Sequence, residues 1–148
     1  MATILVLSGP NLNLLGEREP AIYGTATLDD LVGDVRAVIS AAGHDVEHLQ
    51  SNHEGDLVDA VQGARGRCAA IIVNAGALTH YSYALADALA TYDGVAVELH
   101  ITNPAAREAW RHLSVIAPVV TGTIAGFGRT GYRLAAEATV AALGAETR

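Results

Sequence analysis

The sequence contains no lysine, and all nine of its basic residues are arginines. This absence excludes imine-forming and pyridoxal enzymes and the phosphate-loop lysine of nucleotide-binding proteins. A single cysteine, Cys68, rules out an internal disulfide. No apolar run approaches the roughly 18–20 residues of a transmembrane helix, and a net charge of −7 provides no basic face for nucleic acid. These shortages predict a cytoplasmic protein with no membrane or nucleic-acid partner.

What the sequence does contain fits one α/β domain spanning residues 1–148, of which 51% are hydrophobic. Apolar, β-rich runs predict five strands, at residues 3–7, 45–50, 69–74, 95–100 and 119–125. Residues 1–7 lack a basic leader and are interpreted as the first strand rather than as a signal peptide. Helical spacing predicts a helix that Thr27 caps and Gly43 ends, and further helices at residues 54–64, 82–91, 104–111 (short) and 131–143. This alternation predicts a flavodoxin-like, doubly wound five-stranded parallel sheet in the order 2-1-3-4-5.

Polar residues are concentrated directly after the first four strands, in the segments 8–11, 51–54, 74–80 and 100–103. The carboxyl ends of parallel strands form one edge of the sheet, where ligands bind at the point of reversed strand order. The first of these connections, residues 8–26, is much longer than the usual 2–6 residues. We therefore expect a ligand cleft at this edge, with the long connection as its lid.

Two motifs suggest ligand sites that we do not favour. Gly126, Gly128 and Gly131 match a dinucleotide-binding fingerprint, but only 17 residues follow, too few for the acidic ribose ligand that the motif requires. Close helix–strand packing is the preferred interpretation. His53 and His80 lie, with His100, on neighbouring loops, but they lack the helical spacing and the cysteine partners of zinc sites. We expect neither a metal nor a cofactor.

Four residues carry the strongest chemical signal. Glu98 and His100 are two apart on a strand and so lie on the same side, where a carboxylate could orient the imidazole; an ordinary polar pair is the alternative. Arg18 and Tyr23 share the long connection, and a guanidinium beside a tyrosine favours the phenolate. An exposed tyrosine and a solvated arginine are the alternative there.

The remaining candidates have plainer interpretations. His44, His48 and His112 are predicted at the surface, and Trp110 is predicted as an apolar anchor. Arg111 is either solvated or part of the site, because it follows the His100 loop. A last set of aromatic residues is assigned to packing or to the surface: Tyr81, Tyr83, Tyr92 and Tyr132.

Five ordered motifs resemble those of the type II dehydroquinases and together cover nearly the whole chain. They are GPNLNLLG with Arg18, Tyr23 and Gly24; QSNHEG at 50–55; NAGA at 74–77 with Thr79, His80 and Asp87; ELHITN at 98–103 with Arg107 and Arg111; and Gly126, Gly128, Gly131 and Tyr132. The chain departs from the family pattern at Ala75, often a proline, and at Thr102, usually a serine. The family's flavodoxin-like fold agrees with the fold predicted from periodicity.

The resemblance implies dehydration of 3-dehydroquinate through an enolate, in the shikimate pathway. It makes Tyr23 the base, assisted by Arg18, and His100 the acid, held by Glu98. Asn11 would hold a water near the enolate. The remaining residues that it assigns bind substrate: Asn74, Ile101 and Thr102 its carboxylate, His80 and Arg111 its hydroxyls, and Asp87 a neighbouring subunit's site. It also implies a homododecamer built from four trimers.

Two other functions remain as alternatives. A flavodoxin-like module for FMN or another small ligand would need a first loop rich in serine and threonine, whereas residues 11–15 are Asn-Leu-Asn-Leu-Leu. A catalytically silent relative would have lost part of the proton-transfer set, but Arg18, Tyr23 and His100 are all present. We therefore expect an enzyme.

Overall fold

The computed structural model describes residues 1–146, which form a parallel sheet with helices on both faces. The strands are β1 (Thr3–Ser8), β2 (Asp45–Gln50), β3 (Ala70–Asn74), β4 (Val95–His100) and β5 (Gly122–Ala125). The helices are α1 (Pro20–Tyr23), α2 (Leu28–Ala41), α3 (Glu54–Ala64), α4 (Tyr83–Ala90) and α5 (Thr130–Glu146). The strand order is β2-β1-β3-β4-β5, and every pairing is parallel. The predicted fold class and strand order are confirmed.

The burial of each strand follows from its position in the sheet. β3 and β4 lie in the interior of the sheet and are buried along their whole length, as expected for strands covered on both faces. β2 lies at an edge and alternates between exposed and half-buried residues. One core lies between the sheet and helices α2 and α5, and a second lies between the sheet and helices α3 and α4.

The register brings the strand ends level on one side of the sheet. Ser8 pairs with Asn74, and His100, at the end of β4, pairs with Ala125. The loops that follow β1, β3 and β4 therefore start at the same edge. The Thr27 cap is also confirmed: its hydroxyl accepts from the Asp30 N–H at 3.2 Å, and the Asp30 carboxylate accepts from the Thr27 N–H at 2.9 Å.

Two predicted elements differ from the observed ones, and proline accounts for the first. The last strand begins at Gly122 rather than at residue 119, because Pro118 lies in a 3₁₀ turn, Ala117–Val119, and cannot donate a ladder hydrogen bond. The helix predicted at 104–111 is two separate 3₁₀ turns, Pro104–Ala106 and Ala109–Arg111. Pro104 starts the first turn, and Arg107 is extended and ends it.

The glycines after β5 serve packing. A Cβ on Gly131 would lie 3.3 Å from Leu99 Cδ1, so the start of α5 lies directly against β4. Gly126 and Gly128 have positive φ angles of 96° and 58°, and the Gly128 N–H donates to the Ile101 carbonyl at 2.9 Å. No helix within residues 1–146 has both the length and the apolar character that crossing a bilayer requires.

The prediction that His48 is a surface residue is wrong. Its ring is half-buried, and Nε2 lies 2.9 Å from the hydroxyl of Ser8, which is itself fully buried. The local sequence gave no sign of this, because β2 is an edge strand and its exposed face is polar. Burial, with a smaller contribution from Arg36, lowers the pKa of His48.

Because the pKa of His48 is lowered, we expect the free energy of unfolding to be smaller in mild acid than at neutral pH. The unfolded chain takes up a proton near the ordinary histidine value of about 6.5, before the folded protein does, so stability falls as pH drops below that value. In His48→Gln the free energy of unfolding should depend less steeply on pH between about 7 and 5. Urea unfolding of both proteins at several pH values measures the difference, and identical slopes would contradict the assignment.

Candidate active site

A cleft opens at the carboxyl edge of the sheet, where the loops after β1, β3 and β4 meet. It is lined by Pro10, Asn11, Leu12, Arg18, Tyr23, Asn74, Gly76, Ala77, His80, His100, Ile101, Thr102, Pro104, Arg107 and Arg111. All the predicted site residues except Glu98 and Asp87 are therefore brought together. The cleft lies where the strand order predicted it, between β1 and β3 on one side and β4 on the other.

The long first connection brings Tyr23 into this cleft. The connection bends at Asn11 and Glu19, which have positive φ angles of 70° and 38°, and asparagine tolerates that conformation better than most residues. Pro20 then begins the single-turn helix α1, which ends at Gly24 with φ 80°. Tyr23, the last residue of α1, therefore points at the loop that follows β4.

Two guanidinium groups surround the Tyr23 side chain. Arg18 Cζ lies 4.4 Å from the ring centroid. Arg107 Nη2 donates a hydrogen bond of 2.9 Å to the Tyr23 hydroxyl, and its Nη1 donates to the Thr102 hydroxyl at 3.1 Å. The Tyr23 side chain therefore lies beside two positively charged groups.

The contact between Arg107 and Tyr23 was not predicted from the sequence. Next to Glu108, Arg107 has the pattern of a solvated charge pair, and its partner Tyr23 is 84 residues away in the chain. The signal that could have identified it is its place in the loop after β4, directly after the 3₁₀ turn that begins with Pro104. That turn directs the chain back across the mouth of the cleft.

His100 lies on the opposite wall and is paired with a buried carboxylate. Its Nε2 lies 2.5 Å from Glu98 Oε2, and only 1% of Glu98 is exposed. The second carboxylate oxygen accepts from the Ser114 hydroxyl at 3.0 Å and from the Thr123 hydroxyl at 3.5 Å. With Nε2 directed at Glu98, Nδ1 is the ring nitrogen available to exchange a proton in the cleft. The Glu98 carboxylate therefore fixes the orientation of the His100 ring.

Asn74 is fixed in place at the base of the cleft. Its backbone carbonyl accepts from the Gly9 N–H at 2.8 Å, and its side-chain oxygen accepts from the Gly76 N–H at 3.2 Å. Its side-chain nitrogen donates to the Tyr132 hydroxyl at 3.1 Å. The first loop packs tightly here, since a Cβ on Gly9 would lie 2.3 Å from the Ala75 carbonyl oxygen.

His80 and Arg111 line the outer part of the cleft, together with an aromatic residue. His80 Nδ1 lies 2.7 Å from the Leu113 carbonyl oxygen, so it must donate, and its ring stacks 6.4 Å from that of His100. Trp110 is 53% exposed, meets the edge of His80 at 5.5 Å and carries Arg111 Cζ 3.9 Å above its ring. The prediction of Trp110 as an apolar anchor is wrong, because it supports two polar side chains at the surface.

Arg111 also forms a salt bridge of 2.7 Å with Glu108. The hydrogen bond from Arg111 lowers the pKa of Glu108, so this carboxylate keeps its charge over a wider range of pH. Arg111 is thereby held at the rim of the cleft, between the Trp110 ring and Glu108. A ligand hydroxyl that reaches the rim would find this guanidinium already oriented.

Besides Glu98, which contacts His100, two predicted candidates do not line the cleft. Asp87 is exposed on α4 and does not line the cleft of its own chain. His53 precedes α3, and its N–H donates to the Ser51 hydroxyl at 3.0 Å. Within residues 1–146, no three histidine, cysteine, aspartate or glutamate residues are grouped so that they could hold a metal ion.

This chain resembles known proteins in sequence and in fold. The model of the family dehydroquinase class II matches residues 2–140. The 3-dehydroquinate dehydratase of Ruegeria pomeroyi is 52% identical over 146 residues, which is 99% of this chain and 98% of that protein. The 3-dehydroquinate dehydratase of Halalkalibacterium halodurans is 50% identical over 135 residues, which is 91% of this chain and 93% of that protein. The crystal structure of the type II dehydroquinase from Butyrivibrio crossotus has a TM-score of 0.89 and 44% identity, covering 93% of this chain and 97% of that one. The resemblance found in the sequence is confirmed, and the chain belongs to the class II dehydroquinase family.

Proposed function

We propose that this chain, as a single catalytic domain, dehydrates 3-dehydroquinate to 3-dehydroshikimate in the shikimate pathway. One observation carries the proposal: the same cleft presents a tyrosine hydroxyl bonded to Arg107 and a histidine bonded to buried Glu98. The first pair has the character of a base and the second that of an acid. A β-elimination of water from a hydroxyketone needs both.

The reaction begins with removal of a proton from carbon 2, next to the ketone. The Tyr23 phenolate takes this proton, and the C–H electron pair moves into an enolate. Arg18 and Arg107 stabilise the phenolate before the transfer. Asn11 holds a water that stabilises the enolate oxygen. Because carbon acids of this kind are weak, electrostatic stabilisation of the developing charge accounts for much of the rate.

The second step expels the hydroxyl group from carbon 1. The enolate collapses, the C–O bond breaks, and His100 delivers a proton from Nδ1 so that water leaves. Glu98 keeps the imidazolium oriented during this transfer. All the groups that move protons are side chains of this chain, so the proposal requires no metal and no cofactor.

Substrate binding is assigned to the residues around these two pairs. Asn74, with Ile101 and Thr102, binds the substrate carboxylate, and His80 and Arg111 bind ring hydroxyls. Arg107 orders this region, since it donates both to the Thr102 hydroxyl and to Tyr23. One arginine thereby links the carboxylate-binding loop to the base.

An ultraviolet assay tests the activity directly. Purified protein, treated with a chelator, is mixed with 3-dehydroquinate, and the conjugated enone of 3-dehydroshikimate is followed by its absorbance. We expect the absorbance to rise at a rate proportional to the amount of protein added, and we expect the chelator to leave that rate unchanged. Folded protein that gives no rise would contradict the proposal and favour a silent relative, whereas yellow purified protein would favour a flavin-binding module.

We further propose a cytoplasmic homododecamer in which Asp87 reaches the site of a neighbouring subunit. Its exposure on α4, away from its own cleft, is compatible with a role across an interface. The aromatic side chain of Tyr83, one helical turn earlier, is 72% exposed. An exposed aromatic residue of that size is common at protein interfaces.

Subunit mixing tests the role of Asp87. Asp87→Ala and Tyr23→Phe should each be impaired as homo-oligomers. Co-assembled oligomers should recover activity, because some sites combine an intact Tyr23 from one subunit with an intact Asp87 from another. Recovery after dissociation and reassembly, relative to unmixed controls, is the measurement. If mixed oligomers show only the average of the two parents, Asp87 does not act across an interface.

A further inference from the structure

Asn74 can adopt only one orientation of its side-chain amide. The Gly76 N–H is a donor and nothing else, so the amide oxygen must face it. The amide nitrogen must then face the Tyr132 hydroxyl, which accepts at 3.1 Å. One amide N–H is used in this bond. The second N–H of Asn74 is therefore left to donate to a ligand in the cleft, which Asn74 lines.

Tyr132 reaches Asn74 from behind the cleft. It lies in the first turn of α5, is 1% exposed and does not line the cleft itself. The neighbouring Gly131 allows α5 to approach β4 closely enough for this contact, since a side chain there would meet Leu99 Cδ1 at 3.3 Å. Burial raises the pKa of Tyr132 to about 12, so its hydroxyl stays protonated and is not a second base.

We propose that Tyr132 is a positioning residue, whose buried hydroxyl orients the Asn74 amide so that one N–H is presented to the substrate. This inference rests on the proposed function and deepens it. It assigns a task to a tyrosine that the sequence analysis left to packing or to the surface. The hydroxyl acts through Asn74 and does not touch the substrate.

Tyr132→Phe isolates the hydroxyl, because the ring that fills the core remains. Loss of one buried hydrogen bond of ordinary strength should raise KM for 3-dehydroquinate about three- to tenfold. Asn74 binds the substrate before and during the reaction alike, so kcat should change less than about twofold. An unchanged KM, or a loss confined to kcat, would overturn the proposal.

Tyr92→Phe is the matched control. Tyr92 is also buried, and its hydroxyl donates to the Cys68 carbonyl at 2.7 Å. It belongs to the core on the α3 and α4 face, whereas Tyr132 belongs to the core on the α2 and α5 face. Both variants should lose stability, but only Tyr132→Phe should raise KM. A raised KM in both would mean that the effect is general loosening.

A double-mutant cycle with Asn74→Ala decides between positioning and packing. If the hydroxyl acts through Asn74, adding Tyr132→Phe to Asn74→Ala should leave KM unchanged. The same cycle measured by urea unfolding remains informative if Tyr132→Phe is too unstable to assay. Its stability cost should shrink when Asn74 is absent, because no amide N–H is then left without an acceptor.

The proposal would be overturned if Tyr132→Phe lowered the free energy of unfolding equally in the wild-type protein and in Asn74→Ala. The wild-type protein separates this outcome from failure of the proposed function. If the wild type is active and the effects of Tyr132→Phe and Asn74→Ala are additive, only the role of Tyr132 is contradicted. If the wild type is inactive, the proposed dehydration itself is contradicted.

Discussion

Tyr23→Phe should lower kcat by about 10²–10⁴-fold, the usual contribution of a general base, and should leave the fold and the KM nearly unchanged. Phenylalanine keeps the ring that lies beside Arg18 and removes only the hydroxyl to which Arg107 donates. The variant therefore loses the atom that takes the proton while it keeps the shape of the cleft. Steady-state kinetics with 3-dehydroquinate and a thermal melt of the same preparation measure both effects.

Tyr92→Phe serves again as the control, since it removes a tyrosine hydroxyl far from the cleft. Its kcat should stay within about twofold of wild type, as expected for a substitution that touches no substrate. Near-normal turnover in Tyr23→Phe would mean that another group is the base. A large rise in KM without a fall in kcat would mean that the hydroxyl binds substrate but takes no proton.

The fold was predictable because each element has a local cause. The strand predicted at 69–74 is a run of apolar residues that the structure buries on both faces, and the Thr27 cap is a local motif with its partner Asp30 three residues later. Where local causes compete, prediction failed. Apolar residues extend from 119 toward β5, but Pro118 holds the start of that run in a turn.

The position of the cleft was also predictable, because it depends on topology rather than on side-chain detail. Parallel strands with a reversed order must bring the loops after β1, β3 and β4 to one edge. Asn74 and His100 lie there because each ends a strand. Their order in the sequence and the strand order together place them on neighbouring strands.

Contacts that depend on how a loop folds back were not predictable. Arg107 and Trp110 follow one another closely after β4. The contact of Arg107 with Tyr23 was not predicted, and Trp110 was wrongly predicted to be an apolar anchor. Two short 3₁₀ turns direct Arg107 inward to Tyr23 and leave Trp110 at the surface beneath Arg111. The same holds for His48, which an adjacent strand buries against Ser8. The catalytic role of Tyr23 stays a prediction, which Tyr23→Phe tests.

Glu98→Gln should lower kcat by about 10²-fold or more, because it removes the support for a general acid. The wild-type carboxylate lies 2.5 Å from His100 Nε2, and in the proposed mechanism its charge stabilises the imidazolium that delivers the proton from Nδ1. A glutamine has the same shape but carries no charge. When the amide nitrogen of the glutamine faces His100, its N–H and the Nε2–H of a protonated ring are both donors and repel each other. We therefore expect the ring to lose the proton on Nε2 and become neutral.

A neutral His100 can still hold a proton on Nδ1, but it is a far weaker acid than the imidazolium. The hydroxyl would then leave without effective protonation, and turnover would fall although substrate still binds. Kinetics at saturating substrate, with the enone absorbance as the signal, give kcat. A thermal melt shows that the protein is folded.

Ser114→Ala tests whether the charge of Glu98 or the rigid position of its carboxylate matters to His100. This variant removes a neutral donor to the other carboxylate oxygen, at 3.0 Å, and leaves the bond to His100 in place. The Ser114 hydroxyl also accepts from the Ala117 N–H at 3.0 Å, so two hydrogen bonds are lost. We expect a loss of stability of about 2 kcal/mol and a kcat within about tenfold of wild type. If Glu98→Gln and Ser114→Ala reduced kcat equally, rigidity of the carboxylate rather than its charge would be what His100 needs.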